Sequence, residues 1–128
     1  MTVALCIDDE NGRLFGSRRQ SRDRVLLEDV LRESQGELRI LPFSQSLLGD
    51  RAALCKDLSE DGFYFLEDQP LAPLKDRITT LILYRWNRLY PADFYLDLTP
   101  QELGLTLARS EELCGSSHPK ITKEVYTK

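Results

Sequence analysis

"RITTLILYRW", residues 77–86, carries the strongest strand pattern in the sequence. Its apolar run has no polar break between Leu81 and Tyr84, and continuous runs of this kind are typical of strands buried on both faces of a sheet. "TVALCID", residues 2–8, has the same character and ends abruptly at acidic residues. The two segments therefore predict buried strands of an α/β sheet.

A helix is predicted between these strands, from Ser21 to a stop at Gly36. Ser21 can cap the first turn, and Asp23 lies where a carboxylate meets the positive end of the helix dipole. Apolar residues between 26 and 31 recur at the spacing of one helical face, which predicts that this face packs on the sheet.

The remaining segments alternate between short strands and short helical pieces. Strands are predicted at 37–43, 62–67, 92–98, 105–110 and 120–128, and helical pieces at 44–58, 70–76 and 99–102. The last two strands are expected to form a C-terminal antiparallel hairpin. Together the elements predict a single α/β domain over residues 1–128, in three layers with a mixed, mostly parallel central sheet.

Composition limits the classes of function. The chain has 128 residues, of which 41% are apolar and 30% charged, and its formal net charge is −4. These values are typical of a folded domain, and the acidic balance argues against nucleic acid as a partner. No run of eighteen apolar residues occurs, so no membrane partner is expected and the predicted location is the cytoplasm.

His118 is the only histidine, which restricts metal and nucleophile chemistry. A histidine-rich metal centre is excluded, and no metal site is predicted. A Ser-His-Asp triad through His118 would need a serine and an acid brought in by folding, because the Gly-x-Ser-x-Gly elbow is absent. The segment "GSSHP", residues 115–119, is interpreted as a turn, with a substrate-contacting loop and catalysis by His118 as the alternatives.

An arginine-rich segment, "NGRLFGSRRQSRDR" at residues 11–24, leads into the predicted helix. The sequence has no Walker loop and no Gly-x-Gly-x-x-Gly motif, so an anion would be recognised by arginine side chains and the helix start. The alternative is a solvated basic turn that offsets the acidic surface of the helix. The candidate ligand-binding residues in this segment are Arg18, Arg19, Ser21, Arg22 and Asp23.

A second candidate region, "LYRWNRLYPADFY" at residues 83–95, includes the end of the strongest strand. Residues at the carboxyl ends of central strands commonly line the ligand crevice of α/β sheets. Trp86 or Tyr90 would offer a stacking face for a flat ring or nucleotide. The alternative is that the aromatic side chains cap the edge of the core. The candidate ligand-binding residues here are Arg85, Asn87, Arg88 and Tyr90.

In their order, these elements resemble the dihydrofolate reductase-like family. "CIDDENG" at 6–12 is similar to the family's first strand and turn, and "SRDRVLLEDVL" at 21–31 to its first helix. "DRITTLILYRW" at 76–86 resembles a later strand, and "ITKEVY" at 121–126 the closing hairpin. The resemblance implies a dihydrofolate reductase-like fold, NADPH as cofactor, and Asp23 as the acid that holds the substrate.

Two cofactor signatures of the family are replaced in this sequence. Residues 42–45, Pro-Phe-Ser-Gln, stand where the family has Gly-Arg-x-Thr, and "EDGFYF" at 60–65 has one glycine where the family has a Gly-Gly turn. Arginines surround Asp23 in the sequence, and we expect them to pair with its carboxylate and keep it ionised. These departures favour a remodelled pocket.

Three hypotheses for function follow. The leading one is a domain that binds an anionic or nucleotide-like small molecule in a remodelled pocket, formed by residues 16–24 and 85–90. The second is a non-catalytic module for protein interaction or self-association, such as a homodimer. The third is an NADPH-dependent reductase of a pteridine-like substrate, with Asp23 as its catalytic acid.

Overall fold

A seven-stranded sheet lies at the centre of the computed structural model, which describes residues 1–128. The strands are β1 Thr2–Ile7, β2 Gly12–Phe15, β3 Arg18–Arg19, β4 Leu38–Ile40, β5 Ala53–Leu54, β6 Phe63–Phe65, β7 Thr80–Arg85, β8 Phe94–Tyr95, β9 Thr106–Leu113 and β10 Ile121–Thr127. The helices are α1 Arg24–Glu33 and α2 Gln45–Leu48, with 3₁₀ turns at Pro42–Ser44, Gly49–Arg51 and Ala72–Leu74. Neither helix has the length and apolar character needed to cross a membrane.

The strands of the large sheet lie in the order β5-β4-β6-β1-β7-β10-β9. The first five in this order are parallel, and β10 pairs antiparallel with both β7 and β9. β1 and β7 are neighbours along their whole length, from Thr2 opposite Thr80 to Ile7 opposite Arg85. The mixed, mostly parallel sheet and the C-terminal hairpin predicted from the sequence are therefore confirmed.

Each face of this sheet buries its own core, so the domain has three layers. On one face, Leu26 and Val30 of α1 pack in a cluster with Ile82 of β7. On the other face, Leu83 of β7 belongs to a second cluster, which is covered by turn residues such as Leu71. The outer layer on this second face is built from turns and loops, because the segments at 70–76 and 99–104 form turns and no α-helix.

α1 begins directly after Asp23, which caps it. The cap predicted from the sequence, Ser21, does not cap the helix. The Asp23 carboxylate accepts hydrogen bonds from the N–H groups of Val25 and Leu26, at 2.9 and 3.2 Å. These groups have no partner inside the helix, and a carboxylate also complements the helix dipole, so Asp23 suits the cap position. Gly36 follows the helix with a φ of 81°, in agreement with the predicted stop.

The arginine-rich segment forms a β-hairpin that the sequence did not predict. β2 and β3 pair antiparallel, with Phe15 opposite Arg18, and β8 pairs with the other edge of β2. Gly16 and Ser17 connect the strands with φ values of 57° and 60°. Two positive φ angles are what the tight turns of twisted hairpins require. The hairpin buries Arg13 and leaves Arg18 exposed.

Several predicted elements are shorter than expected, and the helical pieces predicted at 44–58 are α-helical only over Gln45–Leu48. The strand predicted at 92–98 is reduced to Phe94–Tyr95. Thr99 and Glu102 exchange the reciprocal hydrogen bonds of a capping box, at 3.0 and 3.1 Å, yet no helix follows them. Gly104, with a φ of 73°, ends the turn before a helix can propagate.

A buried ion-pair network holds α1 against the sheet. Lys123 of β10 is 2% exposed, and its Nζ lies 2.8 Å from Asp29 of α1 and 3.0 Å from Glu111 of β9. The hydroxyl of Tyr84 donates to Asp29 at 2.7 Å. Burial alone would lower the pKa of Lys123, but its hydrogen bonds to Asp29 and Glu111 outweigh burial and raise that pKa. Lys123 therefore stays charged, and the network as a whole joins α1 to β7, β9 and β10.

We expect Lys123→Met to lower the free energy of unfolding by about 3–5 kcal/mol, because Asp29 would stay buried without its buried cation. Urea unfolding at pH 7 measures the change. Adding Asp29→Asn to Lys123→Met should recover part of the loss, because the amide can still accept the Tyr84 hydroxyl. Lys75→Met, at an exposed lysine, is the control. An equal decrease in the free energy of unfolding in this control would contradict a stabilising role for the Lys123 network.

Candidate functional site

A small cavity lies at the carboxyl ends of β1, β6 and β7, beside the start of α1. Its volume is about 20 Å³, which is room for about one water molecule. This end of a parallel sheet is where α/β domains commonly bind their ligands. The polar residues in its wall are Arg13, Arg19, Gln20, Ser21, Arg22, Asp23 and Glu67.

The Asp23 carboxylate is fully used by hydrogen bonds within the chain. One oxygen accepts from two N–H groups of the first turn of α1 and from Ser116, and the other accepts from Ser117 and His118. Burial would raise the pKa of Asp23, but the N–H groups of Ser117 and Ser116 and the His118 ring outweigh burial and hold that pKa well below its usual range. Both oxygens therefore lack a free lone pair for a substrate.

The source of this ionised state differs from the expectation. Arginine was expected to pair with Asp23, but no arginine lies within ion-pair distance of it, and the side chain that contacts its carboxylate is the His118 ring. Backbone N–H groups stabilise the negative charge, in the way that several donors to one carboxylate depress its pKa. The expectation of an arginine-paired Asp23 is therefore wrong.

His118 is held in one orientation and is 2% exposed. Its Nδ1 lies 3.2 Å from Asp23, and its ring stacks on Trp86 with centroids 4.6 Å apart. Its Nε2 faces two hydroxyl groups, Tyr90 at 2.8 Å and Ser21 at 3.2 Å. The segment 115–119, predicted as a turn, therefore also anchors the β9–β10 loop to the start of α1.

Arg13 is a buried cation without a carboxylate partner, and it is 5% exposed. Its two terminal nitrogens donate to the carbonyl oxygens of Gln69 and Leu66, at 2.6 and 3.1 Å. Its Nε is buried and has no partner in the chain, and the same holds for Oε1 of Gln20. Burial lowers the pKa of Arg13 to about 10, which leaves the side chain charged at neutral pH.

A second arginine of the wall is already paired. Arg19 donates to both carboxylate oxygens of Glu67, at 2.8 and 3.0 Å, and Ser44 donates to the same carboxylate at 2.7 Å. The Arg19 guanidinium also lies 5.3 Å from the centre of the Phe43 ring. Arg19 and Glu67 therefore close one part of the cavity wall by binding each other.

Four of the predicted ligand-binding residues meet at this cavity: Arg19, Ser21, Arg22 and Asp23. Tyr90 reaches the same region through His118. Arg18 is exposed on the hairpin and does not line the cavity. A ligand-binding role for these residues stays a prediction.

The remaining candidates lie away from the cavity. Arg85 pairs with Glu124 at 2.6 Å, and strand alternation directs it to the sheet face opposite α1. The side-chain amide of Asn87 donates to the carbonyl of Lys120 and to Thr122, and Arg88 is exposed. The segments 16–24 and 85–90 therefore do not contribute these side chains to one pocket.

The arrangement of strands and helices matches a solved structure. The chain aligns with dihydrofolate reductase from Enterococcus faecalis complexed with NADP(H) and RAB-propyl, with a TM-score of 0.71. The chain has the dihydrofolate reductase fold. The alignment covers 98% of this chain and 94% of that one, at 7% sequence identity, so the likeness concerns the fold and leaves the reaction open. No protein-family model matches the sequence, and a search of curated proteins finds no match.

The residues present do not fit NADPH, the cofactor that the sequence resemblance to the reductases implies. A cavity of about 20 Å³ has no space for a dinucleotide. α2 has only four residues, and Arg19 binds the carbonyl oxygen of Phe43 just before it, at 3.3 Å.

A larger groove of about 1130 Å³ lies at the amino ends of β4 and β6 and beside β5. Its wall carries charges of both signs, and its arginines are paired, Arg39 with Glu60 at 2.9 Å and Arg51 with Glu28 at 2.6 Å. This groove is therefore a solvated surface of mixed charge, on the side of the sheet away from the cavity.

Three polar residues of the site escaped prediction from the sequence: Arg13, Gln20 and Glu67. Arg13 is buried by carbonyl groups that lie 53 and 56 residues further along the chain, so no local pattern distinguishes it from its exposed neighbours. His118 was identified, but as a turn residue. Its partners at positions 21 and 23 are likewise remote in sequence.

We expect Asp23→Asn to lower the free energy of unfolding by about 2–4 kcal/mol, because several buried N–H donors would lose a charged acceptor. The variant should also change the response to acid. The folded-state pKa of Asp23 lies below the unfolded value of about 3.9, so its contribution is present above that pH and is lost as the pH falls. Chemical unfolding between pH 2 and 6 measures both effects.

The acid slope should become shallower in Asp23→Asn by up to about 1.4 kcal/mol per pH unit below pH 4. Asp76→Asn is the matched control, because Asp76 is exposed and its side chain makes no hydrogen bond. An acid slope that is the same in wild type and Asp23→Asn would contradict the stabilised carboxylate.

Proposed function

We propose that this domain binds a small anionic ligand, or the anionic group of a nucleotide-like ligand, in the cavity beside Arg13. The buried Arg13 side chain, charged and without a carboxylate partner, is the observation that carries the proposal. A cation removed from water is unfavourable unless an opposite charge approaches it, and a bound anion would supply that charge.

Two unpaired atoms indicate the chemistry of the ligand. Arg13 Nε is a donor and suits a carboxylate or phosphate oxygen, whereas Gln20 Oε1 is an acceptor and suits a ligand O–H or N–H. The orientation of Gln20 is supported by its amide nitrogen, which donates to Asp8 at 2.9 Å. An acid that carries a hydroxyl group beside it, such as a small hydroxy acid or a singly protonated phosphate, matches both atoms.

Entry of such a ligand requires the cavity to widen. The Arg19–Glu67 pair forms part of the wall, and its side chains are 23% and 9% exposed, so it lies between the cavity and solvent. Separation of this pair would enlarge the cavity and release Arg19 to bind the ligand. Arg22, which is exposed and forms no ion pair, adds to the positive potential at the entrance.

The position of the cavity agrees with the fold. It lies at the carboxyl ends of parallel strands, the region where α/β sheets of several kinds hold ligands. The Enterococcus faecalis reductase that shares the fold is described in complex with NADP(H) and RAB-propyl. That complex supports the presence of a ligand site in this fold. The class of ligand bound by this chain would depend on the side chains in the wall of its own cavity.

Inorganic phosphate, glycolate and adenosine monophosphate are suitable probes for thermal unfolding. An accepted ligand at a hundredfold excess over its Kd should raise the free energy of unfolding by about 2.7 kcal/mol. Arg13→Met should abolish the shift, and Arg13→Lys should weaken it. Arg24→Gln, at an exposed arginine outside the cavity, is the control. Wild type whose melting curve is unchanged by every anion would refute the proposal.

The Glu67→Gln variant tests whether the Arg19–Glu67 ion pair in the cavity wall restricts entry of the ligand. Loss of the ion pair should release Arg19 and lower the Kd of the best anion by about tenfold, or about 1.4 kcal/mol. Isothermal titration of wild type, Glu67→Gln and the exposed Glu37→Gln measures the difference. A Kd in Glu67→Gln that is equal to or higher than in wild type would show that the pair does not restrict entry.

A further inference from the structure

Three side chains beside the cavity form a continuous hydrogen-bonded chain. Ser21 Oγ lies 3.2 Å from His118 Nε2, and His118 Nδ1 lies 3.2 Å from Asp23 Oδ2. Serine hydrolases activate a serine with this order of groups, and they do so on unrelated folds. The folding of this chain therefore supplies the serine and the acid that a triad through His118 requires.

Asp23 fixes both the backbone and the ring of the histidine. The same oxygen that contacts Nδ1 also accepts the N–H of His118 at 3.2 Å. The Ser117 hydroxyl lies 3.1 Å from both this oxygen and Nδ1, and it donates to the carbonyl oxygen of Arg22 at 2.8 Å. An ionised carboxylate only accepts hydrogen bonds, so an imidazole that acts as a base here would carry its single proton on Nδ1. Nε2 is then the free base, and it points at the hydroxyl groups of Ser21 and Tyr90.

Ser21 is the accessible member of the three. His118 and Asp23 are each 2% exposed, whereas Ser21 is partly exposed and lines the cavity. Burial of the base and the acid excludes water from their hydrogen bond, and an accessible serine can meet a substrate. Arg22 follows Ser21 directly, lines the same cavity and has no ion pair, so its side chain is available to stabilise an oxyanion.

Tyr90 competes with Ser21 for the one lone pair of Nε2. Its hydroxyl lies at 2.8 Å, closer than the serine at 3.2 Å, so it is the stronger partner in this structure. Displacement of the Tyr90 hydroxyl would leave the nitrogen to the serine. The tyrosine therefore restrains the base in this arrangement.

We infer that Ser21 is the nucleophile of an ester- or thioester-cleaving site, with His118 as general base and Asp23 as the residue that orients it. Ser21 Oγ would attack the carbonyl carbon while its proton passes to His118 Nε2. The bond to the alcohol or thiol then breaks, and that group leaves with the proton. Water then attacks the carbonyl carbon of the acyl-serine while its proton passes to His118 Nε2. The bond to Ser21 Oγ breaks, the acid is released, and the proton returns to Ser21.

The cavity adds an acyl-group preference, and this part rests on the proposed anion binding. Arg13 and Arg22 favour an acyl group that carries its own negative charge, such as the hemisuccinate of an alcohol. Hydrolysis itself requires only Ser21, His118 and Asp23. The two proposals can therefore fail independently.

An uncharged alkyl phosphonofluoridate carrying a fluorophore tests the nucleophile, because serine oxygen displaces its fluoride. We expect one labelled peptide, with the label on Ser21. Ser21→Ala should remove labelling, His118→Gln should slow it at least about a hundredfold, and Tyr90→Phe should speed it several-fold by freeing Nε2. Ser59→Ala, at an exposed serine far from the cavity, is the matched control.

Turnover is measured with 4-nitrophenyl acetate and 4-nitrophenyl hydrogen succinate. A burst of one equivalent of nitrophenol is expected, with kcat/KM at least about tenfold higher for the succinate, an advantage of about 1.4 kcal/mol. Labelling of Ser21 without a preference for the succinate, and without stabilisation by anions, would refute anion binding alone.

Two results would contradict the proposal that Ser21 is a nucleophile. One is the absence of labelling in wild type that is folded by circular dichroism, and the other is labelling that Ser21→Ala leaves unchanged. Either result would assign the three side chains to structural support of the β9–β10 loop. Ser21→Ala removes only a partly exposed hydroxyl, so it remains informative even if His118→Gln fails to fold.

Discussion

The Asp23 carboxylate is the contact on which the rest of the site depends. It caps α1 and, through the same two oxygens, binds the N–H groups of residues 116–118. Each buried N–H group left without an acceptor costs about 1–3 kcal/mol, so a neutral side chain cannot replace it without loss. Because His118 is positioned by this carboxylate, the placement of Tyr90 and Ser21 also follows from it.

The sequence predicted the elements whose signal is local. Continuous apolar runs identified β1 and β7, and the spacing of apolar residues identified the buried face of α1. The hairpin at 12–19 was missed because its turn is Gly-Ser and its strands are rich in arginine. The candidate site was predicted only in part, since burial of Arg13 and the grouping of Ser21 with His118 depend on segments far apart in the chain.

The fold sets where a ligand site lies, and side chains set its chemistry. At 7% identity, this chain and the Enterococcus faecalis reductase share strand order and helix position. In this chain the carboxylate at the start of α1 is used internally, and the cavity wall carries a buried arginine that forms no ion pair. Because the lone pairs of this carboxylate are used within the chain, the polar groups around it are the ones that remain available to a ligand.

The distance in sequence between Asp23 and His118, 95 residues, gives the site an order of assembly during translation. The carbonyl groups that bind Arg13 come from residues 66 and 69, so these partners of Arg13 are synthesised well before the histidine. At roughly 5–20 residues per second, the ribosome needs roughly 2–10 s more to reach residue 118. Ser21 is therefore made long before the imidazole that would activate it in the proposed hydrolysis, so the growing polypeptide would not be exposed to an activated serine.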